Sequence, residues 1–230
     1  MEKTITHLPT SDYLMDTEGA MLEMEIPYTL TKPSYLNAKR IIDLFISGIV
    51  YLTVFIWLYP IIAILIKSTS KGPVFFKQLR HGKDNVPFYC YKFRTMVVND
   101  DADRRQATKN DPRVTRIGAF LRKTSLDELP QILNVLKGEM SVVGPRPHPI
   151  ILNESFSRDI KNLMSRHVVK PGITGLAQSK GFRGETKEFY QMNSRFKLDI
   201  FYVKNWSLLL DLKIILWTSL ALISKNNNAY

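Results

Sequence analysis

Cysteine is almost absent. Cys90 stands alone in a chain of 230 residues, which excludes an intrachain disulfide and any cluster of thiolate metal ligands. Histidine is scarce too: His7, His81, His148 and His167 lack the short spacing that sets two imidazoles on one face of a zinc-binding helix, so no His-based metal centre is expected. The start of the chain has Glu2, Asp12, Asp16 and Glu18 where a secretory signal would be basic and then apolar, and no cleaved leader is expected. Neither an internal repeat nor a low-complexity tract is present. Acidic residues are in deficit, 21 Asp and Glu against 32 Lys and Arg, a formal net charge of +11. That balance favours an anionic partner, whether nucleic acid, phospholipid headgroups or a phosphorylated small substrate, and composition does not choose among them.

What is present suits one domain with a core. The chain is 45% apolar and 23% charged, ordinary for a folded protein of this length. Residues 1–36 show no sustained period and are broken by Pro27 and Pro33, which predicts a poorly ordered tail. From Ile41 to Ile66 the sequence is apolar apart from Asp43. That is membrane length, since about 20 apolar residues cross the hydrocarbon. Lys39 and Arg40 precede this run and Lys67 and Lys71 follow it, whereas a simple span concentrates basic residues on one side. Pro60 inside the run removes a backbone hydrogen bond and bends a helix. From these residues a straight span and a re-entrant helix over 37–68 both remain open. A nucleic-acid binder with such a run would aggregate through it, so no nucleic-acid partner is expected.

Beyond Gly72 and Pro73 the pattern shortens. Val74–Gln78 and Phe88–Met96, joined across HGKDN, predict a β-hairpin. Asn99–Asn110 is polar and predicts a mobile loop or short surface helix. DPRVTRIGAFLRKT then interleaves Arg113, Arg116, Arg122 and Lys123 with Val114, Ile117, Phe120 and Leu121, a helical spacing that leaves cations exposed. A helix is predicted from about Ser125 to Lys137, with Leu129, Ile132, Leu133 and Leu136 on its apolar face and Gly138 as its stop. Ser125 and Glu128 have capping-box spacing, yet Pro130 suits a later start with Asp127 as the cap, and either register puts Asp127 and Glu128 in the first turn. Trp206–Ile223 is apolar with Asp211 and Lys213 inside and Trp206 and Trp217 as aromatic anchors, the pattern of an interfacial amphipathic helix or of a buried core helix.

Acids at a helix start ordinarily do no more than offset the helix dipole. Around Asp127 and Glu128, however, stand Arg94, Arg113, Arg116 and Arg122 upstream, and Arg146 downstream between Pro145 and Pro147. Such arginines offer forked donors to a diphosphate, and two acids beside them can hold magnesium or attack phosphorus.

These residues sit in longer motifs: KRIIDLFIS from Lys39, GPVFFKQLRHG from Gly72, YKFRTM from Tyr91, DPRVTRIG from Asp111, LRKTSLDELPQILNVLKGEMSVVGPRP from Leu121, KPGITGLAQ from Lys170, RGET from Arg183 and DIFYVKNWSLLLDLKII from Asp199. In this order, from Lys39 to about Ile223, the chain resembles the bacterial sugar transferases, the monotopic phosphoglycosyl transferases. GPRPHP, RGET and the NWSL segment are most similar to the glucose-1-phosphate transferases of colanic-acid and exopolysaccharide type. The resemblance implies an α+β fold: a single small catalytic domain over 69–224, a re-entrant helix bent at Pro60, a β-hairpin, interfacial helices, and a tail over 225–230. It also implies that Asp127 attacks the sugar-bearing phosphorus of a UDP-sugar and releases UMP, and that undecaprenyl phosphate then takes the phosphosugar. In that scheme Glu128 binds metal or orients the site, with Mg2+ held by Asp127 and Glu128. Arg122 and Arg146 are the first phosphate contacts and Lys92, Arg94 and Arg116 the further candidates. The expected setting is the bacterial inner membrane with the site on its cytoplasmic face, membrane lipid as a partner and a homodimer admitted.

Two departures and two alternatives accompany the resemblance. The family commonly has Ser before the bending proline, whereas this chain has Tyr59, which removes the hydroxyl that would satisfy freed backbone groups. Colanic-acid-type relatives often have transmembrane helices ahead of the catalytic unit where this chain has a short tail, so partners or oligomeric state are expected to differ. The alternatives to glucose are galactose or an N-acetylated sugar, and the alternative to an enzyme is a silent scaffold for polysaccharide assembly, against which the intact Asp127, Glu128 and Arg146 count.

Overall fold

The structure, a computed structural model, describes residues 27–99, 107–108, 111–182 and 189–223. Most of the tail over 1–36, most of the Asn99–Asn110 loop, the RGET motif and residues 225–230 lie outside the described residues.

A single long helix, α1 (Pro33–Thr69), opens the fold. It is α-helical to Val50, widens into a π-helical turn at Tyr51–Phe55 and is α-helical again through Pro60 to Thr69. It is long and apolar enough to cross a membrane, and Phe45, Trp57, Ile61 and Ile64 are exposed on it. The other face is tied down at both ends. Near the start, Lys39 Nζ donates to the Val143 carbonyl (3.0 Å) and Asp43 Oδ1 accepts from the Ser141 hydroxyl and the Val142 N–H. At the far end, Phe55, Ile62 and Ile66 are buried against Phe93 and Leu121. Tyr59 stacks on Phe55 and Phe75, with ring centroids 5.6 and 5.4 Å apart. Where the family's serine would offer a hydroxyl, this chain therefore has an aromatic column, and such pairs add about 0.5–1.5 kcal/mol beyond their burial.

The predicted hairpin forms as β1 (Phe75–His81) and β2 (Pro87–Phe93), antiparallel in the register Gln78↔Cys90. Strand alternation turns Phe76, Gln78, Arg80, Phe88, Cys90 and Lys92 to one face. Helix α2 (Arg116–Lys123) is capped by the Thr115 hydroxyl, which accepts from the Gly118 N–H. At Gly118 a Cβ would stand 1.9 Å from the Thr95 carbonyl oxygen, so only glycine lets α2 approach the chain leaving β2.

The helix predicted from Ser125 starts later than either register placed it. Ser125 takes a left-handed conformation (φ 58°), Leu126–Glu128 form a 3-10 turn, and α3 (Gln131–Lys137) begins after Pro130. Pro130 lacks an N–H and so suits the entrance of α3. The two acids stand in a separate turn ahead of that helix. Gly138 ends α3 with φ 87°, as predicted, and Arg40 from α1 donates to the last carbonyls, Val135 (2.6 Å) and Leu136 (2.9 Å). Asn134 pins α3 to β2, accepting from the Tyr91 N–H and donating to the Tyr89 carbonyl.

The remainder alternates short strands with helices: β3 (Ser141–Val143), α4 (Ile150–Ser157), β4 (Gly172–Thr174), α5 (Leu176–Ser179), α6 (Phe189–Lys204) and α7 (Leu208–Ile223). β3 and β4 are parallel. Helix α7 exposes Leu209, Leu212, Leu216 and Leu220 and buries Ile214 and Asp211. Asp211 is a hub inside the fold, accepting from Lys39, Tyr202 and Trp206.

Candidate active site

The hairpin, the Leu126–Glu128 turn and the Pro145–Pro147 loop converge on a cavity of about 1070 Å³. Asp127, Glu128, Lys92, Arg122 and Arg146 all line it. Each owes its position to a local constraint. Lys92 is set by strand alternation, the acids by the turn between Ser125 and Pro130, and Arg146 by prolines on both sides.

The two carboxylates, adjacent in sequence, differ in their surroundings. Glu128 is gripped by two cations. Lys92 Nζ lies 2.6 Å from Oε1, and the Arg146 guanidinium forms a fork, Nη1 to Oε2 at 3.1 Å and Nη2 to Oε1. Burial acts to raise the pKa of Glu128, but the charges of Arg146 and Lys92 and their hydrogen bonds outweigh it and hold the group well below the usual carboxylate range. Asp127 accepts no hydrogen bond among the described residues, and its nearest cation is Lys92, 4.0 Å from Oδ2. Burial, and after it the neighbouring Glu128 charge, push its pKa up against the opposing pull of Lys92. Its side chain keeps 13% of its surface exposed and so remains reachable. One acid is a fixed anion inside a cationic clamp, and the other is a desolvated carboxylate with unoccupied lone pairs, the division of environment that separates roles in a dyad.

The expected cations are not equivalent. Arg122 lines the cavity, with Nε donating to the Thr95 hydroxyl at 2.9 Å, and burial lowers its pKa. Arg94 also lines the cavity, but both terminal nitrogens donate to main-chain carbonyls, those of Ser70 (2.8 Å) and Lys71, at the end of α1. Arg116 is exposed in the first turn of α2 and is not among the lining residues. Three residues that the sequence did not single out face the cavity as well. Arg80 is buried and donates to the Pro147 carbonyl (2.6 Å) and Gln78 Oε1 (2.9 Å), bracing the loop that presents Arg146. His148 and Arg195 complete that side. Burial first, then Arg166, Arg80 and other arginines, keep His148 neutral, and burial together with Arg146 lowers Arg195 to about 10. Arg80 was legible in principle, since it shares the Lys92 face of the hairpin.

No group of three or more His, Cys, Asp or Glu side chains lies together among the described residues. That rules out a closed cage of those ligands there but not magnesium, which keeps several waters and takes one or two carboxylates together with substrate phosphates. Asp127, whose oxygens accept no hydrogen bond among the described residues, with Glu128 beside it, fits that mode.

The sequence pattern of the bacterial sugar transferase family matches residues 34–225. A UDP-glucose:undecaprenyl-phosphate glucose-1-phosphate transferase of Klebsiella pneumoniae is 52% identical over 181 residues, 78% of this chain and 39% of its own length. One of the same name from Xanthomonas campestris pv. campestris is 53% identical over 166 residues, 71% of this chain and 34% of its own. An Aeromonas hydrophila UDP-N-acetylgalactosamine-undecaprenyl-phosphate N-acetylgalactosaminephosphotransferase is 41% identical over 197 residues, 85% of this chain and 46% of its own. The chain thus spans between about a third and a half of the length of these relatives.

Proposed function

The chain belongs to the bacterial sugar transferase family, and from that premise we propose that it moves glucose-1-phosphate from UDP-glucose to undecaprenyl phosphate, releasing UMP and initiating exopolysaccharide or glycoconjugate synthesis. The observation that supports this most directly is the inequality of the two carboxylates. A nucleophile must be desolvated and unengaged, which describes Asp127.

In the first half-reaction a carboxylate oxygen of Asp127 attacks the sugar-bearing phosphorus. The bond from that phosphorus to the bridging oxygen breaks, UMP leaves with the electron pair, and a phosphosugar-aspartyl ester remains. In the second, a phosphate oxygen of undecaprenyl phosphate attacks the same phosphorus and Asp127 leaves as carboxylate. Lys92, Arg146 and Arg122 place positive charge where the diphosphate oxygens must sit, which lets one anion approach another. Glu128 keeps Lys92 and Arg146 in place rather than reacting. Bound Mg2+ adds charge neutralisation at the diphosphate.

The same proposal places α1 in the bacterial inner membrane as a re-entrant helix with the cavity on the cytoplasmic face. Its support is that both ends of α1 are tied to one folded body, through Lys39, Arg40 and Asp43 at the start and through Arg94 on the Ser70 and Lys71 carbonyls at the end. A second reading, the same reaction with an N-acetylated sugar, is favoured by the Aeromonas relative.

The test is UMP release from UDP-glucose by detergent-solubilised protein with magnesium, with and without undecaprenyl phosphate. Lipid-dependent release that disappears in Asp127→Asn is expected. Full activity in that variant removes Asp127 as nucleophile, and release only from an N-acetylated donor installs the second reading.

A further inference from the structure

One wall of the cavity is charged, whereas the wall built by α1, β4, α5 and α7 is neutral and rich in hydroxyls, with Ser47, Thr174, Gln178 and Thr218 lining it. Ser47 is the residue that needs an explanation. It is 1% exposed, and its hydroxyl has no hydrogen-bond partner among the described residues, a condition that folded proteins avoid unless a ligand or water completes it. Other Ser and Thr side chains on the helices of this chain donate to the carbonyl four residues back: Thr53 to Ile49, Thr69 to Leu65 and Ser219 to Ile215. Ser47 makes no such bond and lines the cavity instead.

Its neighbours are arranged to receive a polar guest. The Thr174 and Thr218 hydroxyls are 2.6 Å apart; one proton joins them, and the second remains available to an outside acceptor. The Gln178 amide is oriented by donating from Nε2 to the Ile173 carbonyl at 3.0 Å.

We infer that this wall reads the sugar ring of the nucleotide-sugar, with Ser47, the Thr174–Thr218 pair and Gln178 exchanging hydrogen bonds with sugar hydroxyls. The inference rests on the transferase reading above and deepens it. An isoprenoid chain laid here would cover these groups and leave them unpaired. A uracil ring seeks a flat partner, and the aromatic rings lining the cavity at Phe75, Phe76 and Phe93 all come from the hairpin. A sugar fits both facts, being neutral, dense in hydroxyls and covalently held next to the phosphorus that Asp127 attacks.

Ser47→Ala and the near-isosteric Thr218→Val test it. UMP release is measured with UDP-glucose, UDP-galactose and UDP-N-acetylglucosamine, which differ at C4 or C2. For the preferred sugar kcat/KM falls about tenfold in either variant, and for at least one competitor it changes by less than about twofold, so that selectivity shifts. An equal fall for all three sugars, as a merely structural role would give, overturns the inference. So does a change confined to the KM for undecaprenyl phosphate, which would assign the wall to the lipid. Binding separates this outcome from failure of the transferase reading, which would appear as no release by the parent protein from any donor. In an Asp127→Asn background, Ser47→Ala should bind UDP as before and UDP-glucose about tenfold more weakly. Unchanged affinity for both overturns the sugar wall whether or not the protein turns over.

Discussion

Two buried networks in this chain set arginine against carboxylate to opposite ends. In the first, Lys92, Arg146, Asp127 and Glu128 face the cavity, and Asp127 accepts no hydrogen bond among the described residues. In the second, Arg166 is fully buried and donates to Asp199 (2.9 Å) and Asn153 (2.8 Å), and Asn153 meets His81 Nδ1 at 3.1 Å. Beside it His167 Nδ1 lies 2.6 Å from Asn85 at the hairpin turn, with its ring 5.5 Å from that of His81. None of these six residues lines the cavity. Burial raises the pKa of both Asp127 and Asp199, so a perturbed acid alone does not distinguish the two networks. The distinction lies in where each network stands: the second lies away from the cavity and joins the hairpin to α4 and α6, whereas the first opens on the cavity and keeps one carboxylate for a guest.

The contrast breaks most sharply at Asp127. Asp127→Asn should lower turnover by a factor on the order of 10^4 or more while leaving the melting temperature nearly unchanged, because no hydrogen bond is lost; UMP release and thermal unfolding in detergent measure the two. Arg166→Met should do the reverse. It strands Asp199 as a buried charge, at a cost of about 3–5 kcal/mol in stability, read by denaturant titration, with kcat/KM per folded molecule close to the parent's. A stable Arg166→Met protein with damaged catalysis would erase the distinction between brace and site. Arg146→Lys keeps the charge but loses the fork on Glu128, and should lower kcat/KM by about 10^2, more through misplacement of Lys92 and Glu128 than through lost charge.

Acid sharpens the comparison with a smaller effect. Asp127 reacts as carboxylate, and its folded pKa lies above the usual 3.8, so the acid limb of kcat/KM should lie above the ordinary aspartate range and fall about tenfold per pH unit below it. Lys92→Met should move that limb higher still, since Lys92 opposes the rise. In the other network the loss is one of stability. Burial holds His167 near 2, below its unfolded value of about 6.5, so the unfolded chain takes up the proton first. The contribution of His167 is therefore complete above about pH 6.5 and declines as pH falls toward 2, by at most about 1.4 kcal/mol per pH unit.

Much of this was legible in the residues. Alternation over Val74–Gln78 and Phe88–Met96 announced the hairpin, Gly138 the end of α3, and the acids flanked by arginines the charged wall. The turn holding Asp127 and Glu128 was misread as the first turn of a helix, because the left-handed Ser125 has no signature of its own. Arg94 and Arg116 looked like Arg122 in sequence, and only tertiary contacts sent the Arg94 guanidinium to the end of α1 and left Arg116 in solvent. Arg80, His148, Arg195 and Ser47 were missed for a related reason. They reach the cavity from separate elements, and no local period reports a convergence made by the register of β1 on β2 and by the docking of α1 and α6.

The bond from Lys39 to Asp211 spans 172 positions. A chain emerging from the ribosome presents Lys39 and Asp43 early, at the head of an apolar helix, whereas Ser141, Val142 and Asp211 arrive much later. Until then those charges find their partners only in water. Helix α7 thus supplies the latest in chain order of the contacts that hold the head of α1. Shortening the chain ahead of Asp211 would remove one fastening of α1 and leave those of Asp43 to Ser141 and Val142 and of Arg40 to the end of α3.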